Sequence, residues 1–159
     1  MSSSLHLVVA VDDQTLRVFR GDECIREFPV STSSRGTGFE ENSFRTPTGR
    51  FRICERIGDG QTIGTIFRSR VPIGHWSPGD ALDDDLVLTR ILRLDGLDPE
   101  NENTLSRYIY IHGTNHEDLI GQPASHGCIR LANADMIELF DQVSEGISVE
   151  ILPAGGSWV

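Results

Sequence analysis

Apolar residues recur at every second position near the start of the chain and at helical spacing near its end. Leu5, Leu7 and Val9, then Leu16 and Val18, follow the period of strands whose alternate side chains face one core. This predicts strands over 5–11 and 15–20, joined by the polar turn Asp12-Asp13-Gln14, and a third over 24–30 after the turn Gly21-Asp22. A polar, glycine-rich loop follows from Ser31 to Asn42. Further strands are expected over 50–57, 62–68, 86–92 and 108–111, with a polar loop around Asp98-Pro99-Glu100-Asn101. Between 71 and 80 the residues Pro72, Gly74, Pro78 and Gly79 argue against any regular element. Trp76, inside that stretch, suits either a lid or cleft wall or a side chain pinned into the core. Met136, Ile137, Phe140 and Val143 then recur at helical spacing, with Asn133 as the N-cap and Gly146 as the stop. A strand over 148–152 closes a fold that is mainly β with one principal helix.

Composition narrows the class. A chain of 159 residues suits one domain, 1–159, with a sizeable core. The net charge of −10 speaks against nucleic acid or an anionic membrane surface as the main partner, since both need basic surface. No apolar run approaches the roughly 20 residues that span a bilayer. Met1-Ser2-Ser3-Ser4 carries no basic n-region, so the chain as it stands is expected in the cytoplasm. The periplasm or cell wall is the alternative if an export signal has been removed. The acidic runs Glu40-Glu41 and Asp83-Asp84-Asp85 read as solvated loop surface. Three cysteines do not make a disulfide framework, and Cys24 and Cys54 read as buried small hydrophobes.

Cys128 differs from the other two by its neighbours. In Ser125-His126-Gly127-Cys128-Ile129-Arg130-Leu131 a histidine stands two residues before the thiol. In extended backbone those two side chains project to one face, and Gly127 leaves room between them. Cys128 is therefore the candidate nucleophile and His126 the candidate general base, with the helix start downstream favouring an anion. Ser125 is the expected orienter of the imidazole, and the N–H groups of Gly127 and Cys128 the expected oxyanion donors. Arg130 either binds a substrate carboxylate or makes a structural salt bridge; the residues alone leave both open. Zinc held by His112, His116, His126 and Cys128 is the competing chemistry, but the spacing lacks the His-Glu-x-x-His order of zinc hydrolases. No cofactor is expected.

His112-Gly113-Thr114 followed by the run 125–131 resembles the signature of the L,D-transpeptidase (YkuD-type) catalytic domain, and Thr46-Pro47-Thr48-Gly49-Arg50-Phe51 resembles that family's second landmark. The resemblance extends from about Leu7 to Ile151. It implies a β-sandwich and a cleft lined by His112, with His112, Gly113 and Arg130 serving substrate binding and Thr46 to Gly49 shaping the cleft floor. It implies a peptidoglycan stem tetrapeptide or muropeptide as substrate, cleaved before its terminal D-Ala through a thioester on Cys128. An amine acceptor would then give 3→3 cross-links or attach a protein, and water would give L,D-carboxypeptidase trimming. Trimming is the favoured outcome for a chain without an export signal. Carbapenems are the expected covalent inhibitors. The reading from another class is a non-catalytic peptidoglycan-binding module, which has no use for the His126/Cys128 pair.

Overall fold

The computed structural model describes residues 5–80, 84–153 and 155; Met1 to Ser4 and Asp83, which entered the readings above, lie outside them. The early alternation produces the expected meander of β1 (Leu5–Ala10), β2 (Thr15–Arg20) and β3 (Glu23–Pro29). Next come β4 (Gly49–Ile57), β5 (Thr65–Arg68), β6 (Val71–His75), β7 (Val87–Gly96), β8 (Tyr110–Gly113) and β9 (Ile129–Leu131). Helix α1 (Asn133–Gln142) and β10 (Ser148–Leu152) complete the order. Among the described residues the strands join in the order β3-β2-β1-β10-β4-β7-β5-β6, with β8 on β7 and β9 parallel to β8. Inward-facing Leu7, Leu16, Phe51 and Ile151 on one side meet Ile111, Ile129, Met136 and Phe140 on the other around a single main core. That closure of strand layers with one helix is the mainly β sandwich expected.

Several local expectations are corrected. Val71–His75 is a strand despite Pro72, because β6 is the outermost strand of its sheet and its pairing with β5 shifts register beside Pro72, so the missing N–H is tolerated. The strand expected from 62 begins at Thr65, since the Thr65 N–H and hydroxyl both turn back to the Thr62 carbonyl. β7 runs on to Gly96, and the loop at 98–101 contains a 3-10 turn over Pro99–Asn101. Cys24 is exposed and Cys54 half-buried, not core residues. Trp76 is 7% exposed and walls a cavity of about 350 Å³ together with Ile63, Glu117 and Asn133.

The helix start also differs. Ala132 is the N-cap, and Asn133 is the first helical residue with its side chain turned inward. Its Nδ2 donates to the Thr114 carbonyl, and its Oδ1 accepts from the Thr89 hydroxyl. The Asn133 N–H donates to a Glu117 carboxylate oxygen at 2.8 Å. The helix N-terminus is thus already served by an anion of its own. The helix stops at Gln142, and Gly146 lies in the following turn, where its N–H donates to the Ile53 carbonyl. No described helix is long and apolar enough to cross a membrane.

Candidate active site

The site is built on the parallel pair β8/β9, where Ile111 stands opposite Ile129, His112 opposite Arg130 and Gly113 opposite Leu131. Side chains alternate between the faces of a strand. Ile111, Ile129 and Leu131 enter the main core, which sends Tyr110, His112 and Arg130 to the other face. Cys128, just before β9, comes level with Tyr110: the Tyr110 N–H donates to Sγ at 3.3 Å, and the thiol reaches the Tyr108 carbonyl at 3.4 Å. The thiol and His112 therefore sit along one sheet face, both held from backbone. Gly113 is needed there, because a Cβ would strike Asn133 Oδ1 and lie 2.8 Å from the Leu88 carbonyl.

The turn that delivers Cys128 is locked by polar groups from distant segments. Ser125 Oγ donates to the Cys128 carbonyl at 2.6 Å and accepts the Gly127 N–H at 3.2 Å. The hydroxyl of Thr46 donates to the Gly127 carbonyl at 3.0 Å, so the second landmark supports the floor of the turn. Ser31, on the far edge of β9, exchanges backbone bonds with Arg130 at 2.9 Å each way. Ser31, Thr32 and Ser33 are consequently buried, although the sequence reads them as the start of a loop. Residues 126–128 are bent, with Gly127 at φ +124°, not extended. Ser125 accordingly ties the turn together, its hydroxyl engaged by the Cys128 carbonyl and the Gly127 N–H. The His126 imidazole is 61% exposed, directs Nδ1 to Asp85 Oδ2 at 3.1 Å and meets the Phe44 ring edge-on.

Asp85 is the residue the sequence hides. It closes an acidic run that reads as surface, yet its side chain is only 27% exposed and its other oxygen is 2.8 Å from Arg130 Nη2. Burial raises the Asp85 carboxyl, but the neighbouring His112, Arg130 and His126 outweigh it and hold the group below the ordinary range. Arg130, 2% exposed, is thus committed to an internal ion pair, the second of the two roles left open for it. His112 is 2% exposed, and its Nδ1–H donates to the Gly113 carbonyl, which leaves Nε2 as the acceptor. Burial pushes the imidazole below its usual value, so it is neutral at pH 7. Burial likewise pushes the Cys128 thiol up to about 11, against the partial help of the Tyr110 N–H, Arg130 and Arg107. The resting pair is a protonated thiol and a neutral imidazole. The anion-favouring helix end expected beside Cys128 is absent from this balance: three strand residues intervene, and Glu117 occupies it.

Two open cavities flank this centre on either side of Tyr108. One, of about 250 Å³, is lined by Glu41, Phe44, Arg107, Ile109 and His126; the other, of about 320 Å³, by Ser69, Arg70, Tyr108 and Tyr110. Among the described residues no group of three or more His, Cys, Asp or Glu side chains is arranged to hold a metal, so His112, His116, His126 and Cys128 do not form a zinc cluster.

The fold is mainly β, with a thiol just before β9 and a buried histidine on β8 along one sheet face. The L,D-transpeptidase catalytic domain model matches residues 4–151, and the chain belongs to that family. It is 27% identical over 149 residues to the putative L,D-transpeptidase YkuD of Bacillus licheniformis, with 92% of this chain and 65% of that protein aligned. The chain therefore spans just under two thirds of that relative's length. In fold it is similar to the L,D-transpeptidase of Xylanimonas cellulosilytica, with a TM-score of 0.61 at 22% identity over 95% of this chain and 61% of the other. It is similar as well to LdtMt1 in complex with imipenem, with a TM-score of 0.59 at 21% identity over 94% and 59% of the two chains.

Proposed function

We propose that this domain transfers the acyl group of a peptidoglycan stem tetrapeptide through a thioester on Cys128, releasing the terminal D-Ala. The observation that carries the reading is the sheet face itself: a thiol held by the Tyr110 N–H lies along the strand that presents His112, whose tautomer the Gly113 carbonyl fixes. This supports giving the general-base role to His112 in place of His126, which is exposed and turned to Asp85. His112 Nε2 takes the thiol proton as Sγ attacks the carbonyl carbon, and returns it to the departing amine. Asp85 favours the imidazolium formed on the way, while burial, with a smaller push from Arg130, keeps the resting imidazole neutral. Of the two expected oxyanion donors, the Gly127 N–H is already directed at Ser125 Oγ, which leaves the Cys128 N–H to this role.

Water as the acceptor, giving L,D-carboxypeptidase trimming, is the favoured outcome: a net charge of −10 works against adsorption on an anionic polymer and suits a small diffusible substrate. Cross-linking is the second reading, and Glu41 in the cavity beside His126 favours it, since a carboxylate there could hold an amine acceptor. The test is incubation with a defined tetrapeptide and mass analysis of products and protein. Tripeptide plus D-Ala, with an acyl-enzyme trapped on Cys128, supports the reading. An intact peptide bound without turnover would make the domain a binding module instead.

A further inference from the structure

The cavity on the Arg70 side of Tyr108 has a built look that the acyl-transfer step does not use. It lies at the tip of the β5–β6 hairpin, whose two-residue turn is Ser69-Arg70, with φ of +48° and +67°. Two consecutive left-handed residues are usual in such a turn, but they are ordinarily asparagine or glycine. Tyr108, which separates the cavities, is also left-handed at φ +56°. Three non-glycine residues in this conformation around one cavity of about 320 Å³ mean that side chains are kept at a backbone cost.

Those side chains converge. Arg70 Nη1 donates to the Tyr110 hydroxyl at 3.0 Å, and its guanidinium lies 5.6 Å from the centre of the Tyr108 ring. Among the described residues no carboxylate is within ion-pair distance of Arg70. Glu55, the acid that faces it at longer range, is itself paired with Arg93 at 3.4 Å. With its oxygen accepting from Arg70, the Tyr110 phenol keeps its own proton to donate. Ser69 adds a hydroxyl, and none of the lining residues is acidic. A guanidinium, a phenol and a hydroxyl around one cavity are the donor set that a carboxylate takes. Tyr110 ties it to the nucleophile, because its backbone N–H holds Sγ while its phenol holds Arg70. The separation is that of one tyrosine side chain. A scissile carbonyl and the carboxylate one residue beyond it are separated by a similar reach, about 3.8 Å plus the two contact distances.

Resting on the acyl-transfer reading, we propose that Arg70, with Tyr110 and Ser69, binds the C-terminal carboxylate of the residue that leaves, which restricts cleavage to the last peptide bond. The test compares the free-acid tetrapeptide, its C-terminal amide, and a peptide with the third residue's side-chain carboxylate amidated. Wild-type protein should prefer the free acid over the C-terminal amide by at least roughly tenfold in kcat/KM. Arg70→Gln should erase that preference, acting mainly through KM, and Arg70→Lys should restore part of it. Tyr110→Phe, which leaves the backbone N–H on the thiol, should weaken it. Equal loss on acid and C-terminal amide in Arg70→Gln would overturn the proposal, as would a loss that vanishes only when the third residue is amidated. A second readout needs no turnover: alkylation of Cys128 by bromoacetyl-D-alanine, whose carboxylate lies one residue beyond the reacting carbon, relative to its C-terminal amide, mapped by mass so that Cys24 and Cys54 are counted apart. The ratio should fall in Arg70→Gln. A falling ratio with no tetrapeptide cleavage by wild type would leave the carboxylate site standing, overturn its assignment to the leaving residue and refute the acyl-transfer reading. An unchanged ratio with normal cleavage would do the reverse.

Discussion

A thiol pushed up to about 11 is almost wholly protonated at pH 7, so reactivity at Cys128 must come from proton removal during attack. Alkylation of Cys128 by iodoacetamide should therefore keep rising from pH 7 through pH 10, where an ion-paired thiolate would have levelled off well below neutrality. Cys128→Ser should fold and lose acyl transfer by orders of magnitude, as measured by D-Ala release. The two histidines separate in the same assay. His112→Gln should cost roughly 10²–10⁴ in kcat, the range for a positioned base, and His126→Gln less than about tenfold. The reverse order would return the base role to the exposed residue. His112 also sets a pH dependence of stability. Its folded pKa is depressed, so the native state resists the proton that the unfolded chain accepts. Stability should begin to fall as pH drops below about 6.5, the ordinary imidazole value, and His112→Gln should flatten that first decline in urea titrations.

At the scale of elements, the site depends on segments that grip β8 and β9 from outside. Asp85 joins the start of β7 to Arg130 of β9 and to the turn at His126. Asp85→Asn would leave a buried guanidinium without its anion. The expected loss is about 2–3 kcal/mol, below that of a sealed pair because Asp85 is 27% exposed. Its carboxyl is held below the ordinary range, so this contribution is full above about pH 4 and is lost only as pH falls through the lower folded value. Gly113→Ala should be costlier than a surface change, about 1–3 kcal/mol or more, because Asn133 anchors α1 where the new methyl would go. Chemical denaturation of both variants checks these values. The strand period was legible from alternation because β2 buries Leu16 and Val18 on one side of the sheet, the side that Leu7 and Val9 of β1 share. β6 was not, since what makes Pro72 acceptable is its place at the sheet edge, a fact of tertiary pairing.

At the scale of the molecule, the proposed chemistry predicts one carbapenem adduct per chain by intact mass, absent from Cys128→Ala. An adduct on Cys24 or Cys54 would contradict the assignment of the nucleophile. With free tetrapeptide, tripeptide and D-Ala should dominate over dimers even at high peptide concentration. Dominant dimers would show that an amine is held at attack distance in a second cavity, where its effective concentration beats bulk water.

What the sequence by itself determined is the local chemistry: a mainly β chain, one thiol among three set apart by its neighbours, and a signature that carries the family. Such features are written in runs of a few residues, where strand period, turn glycines and motif spacing act over short range. What only the tertiary structure decided is which groups meet. Gly127 at φ +124° breaks the extended geometry that would have faced His126 to Cys128, and parallel pairing puts His112 on the thiol's face instead. Asp85, Thr46 and Ser31 reach the motif from 40 to 100 positions away, roughly speaking, with no spacing rule to announce them. Burial, which raises the Cys128 thiol and lowers the His112 imidazole, exists only once those segments have closed around the two groups.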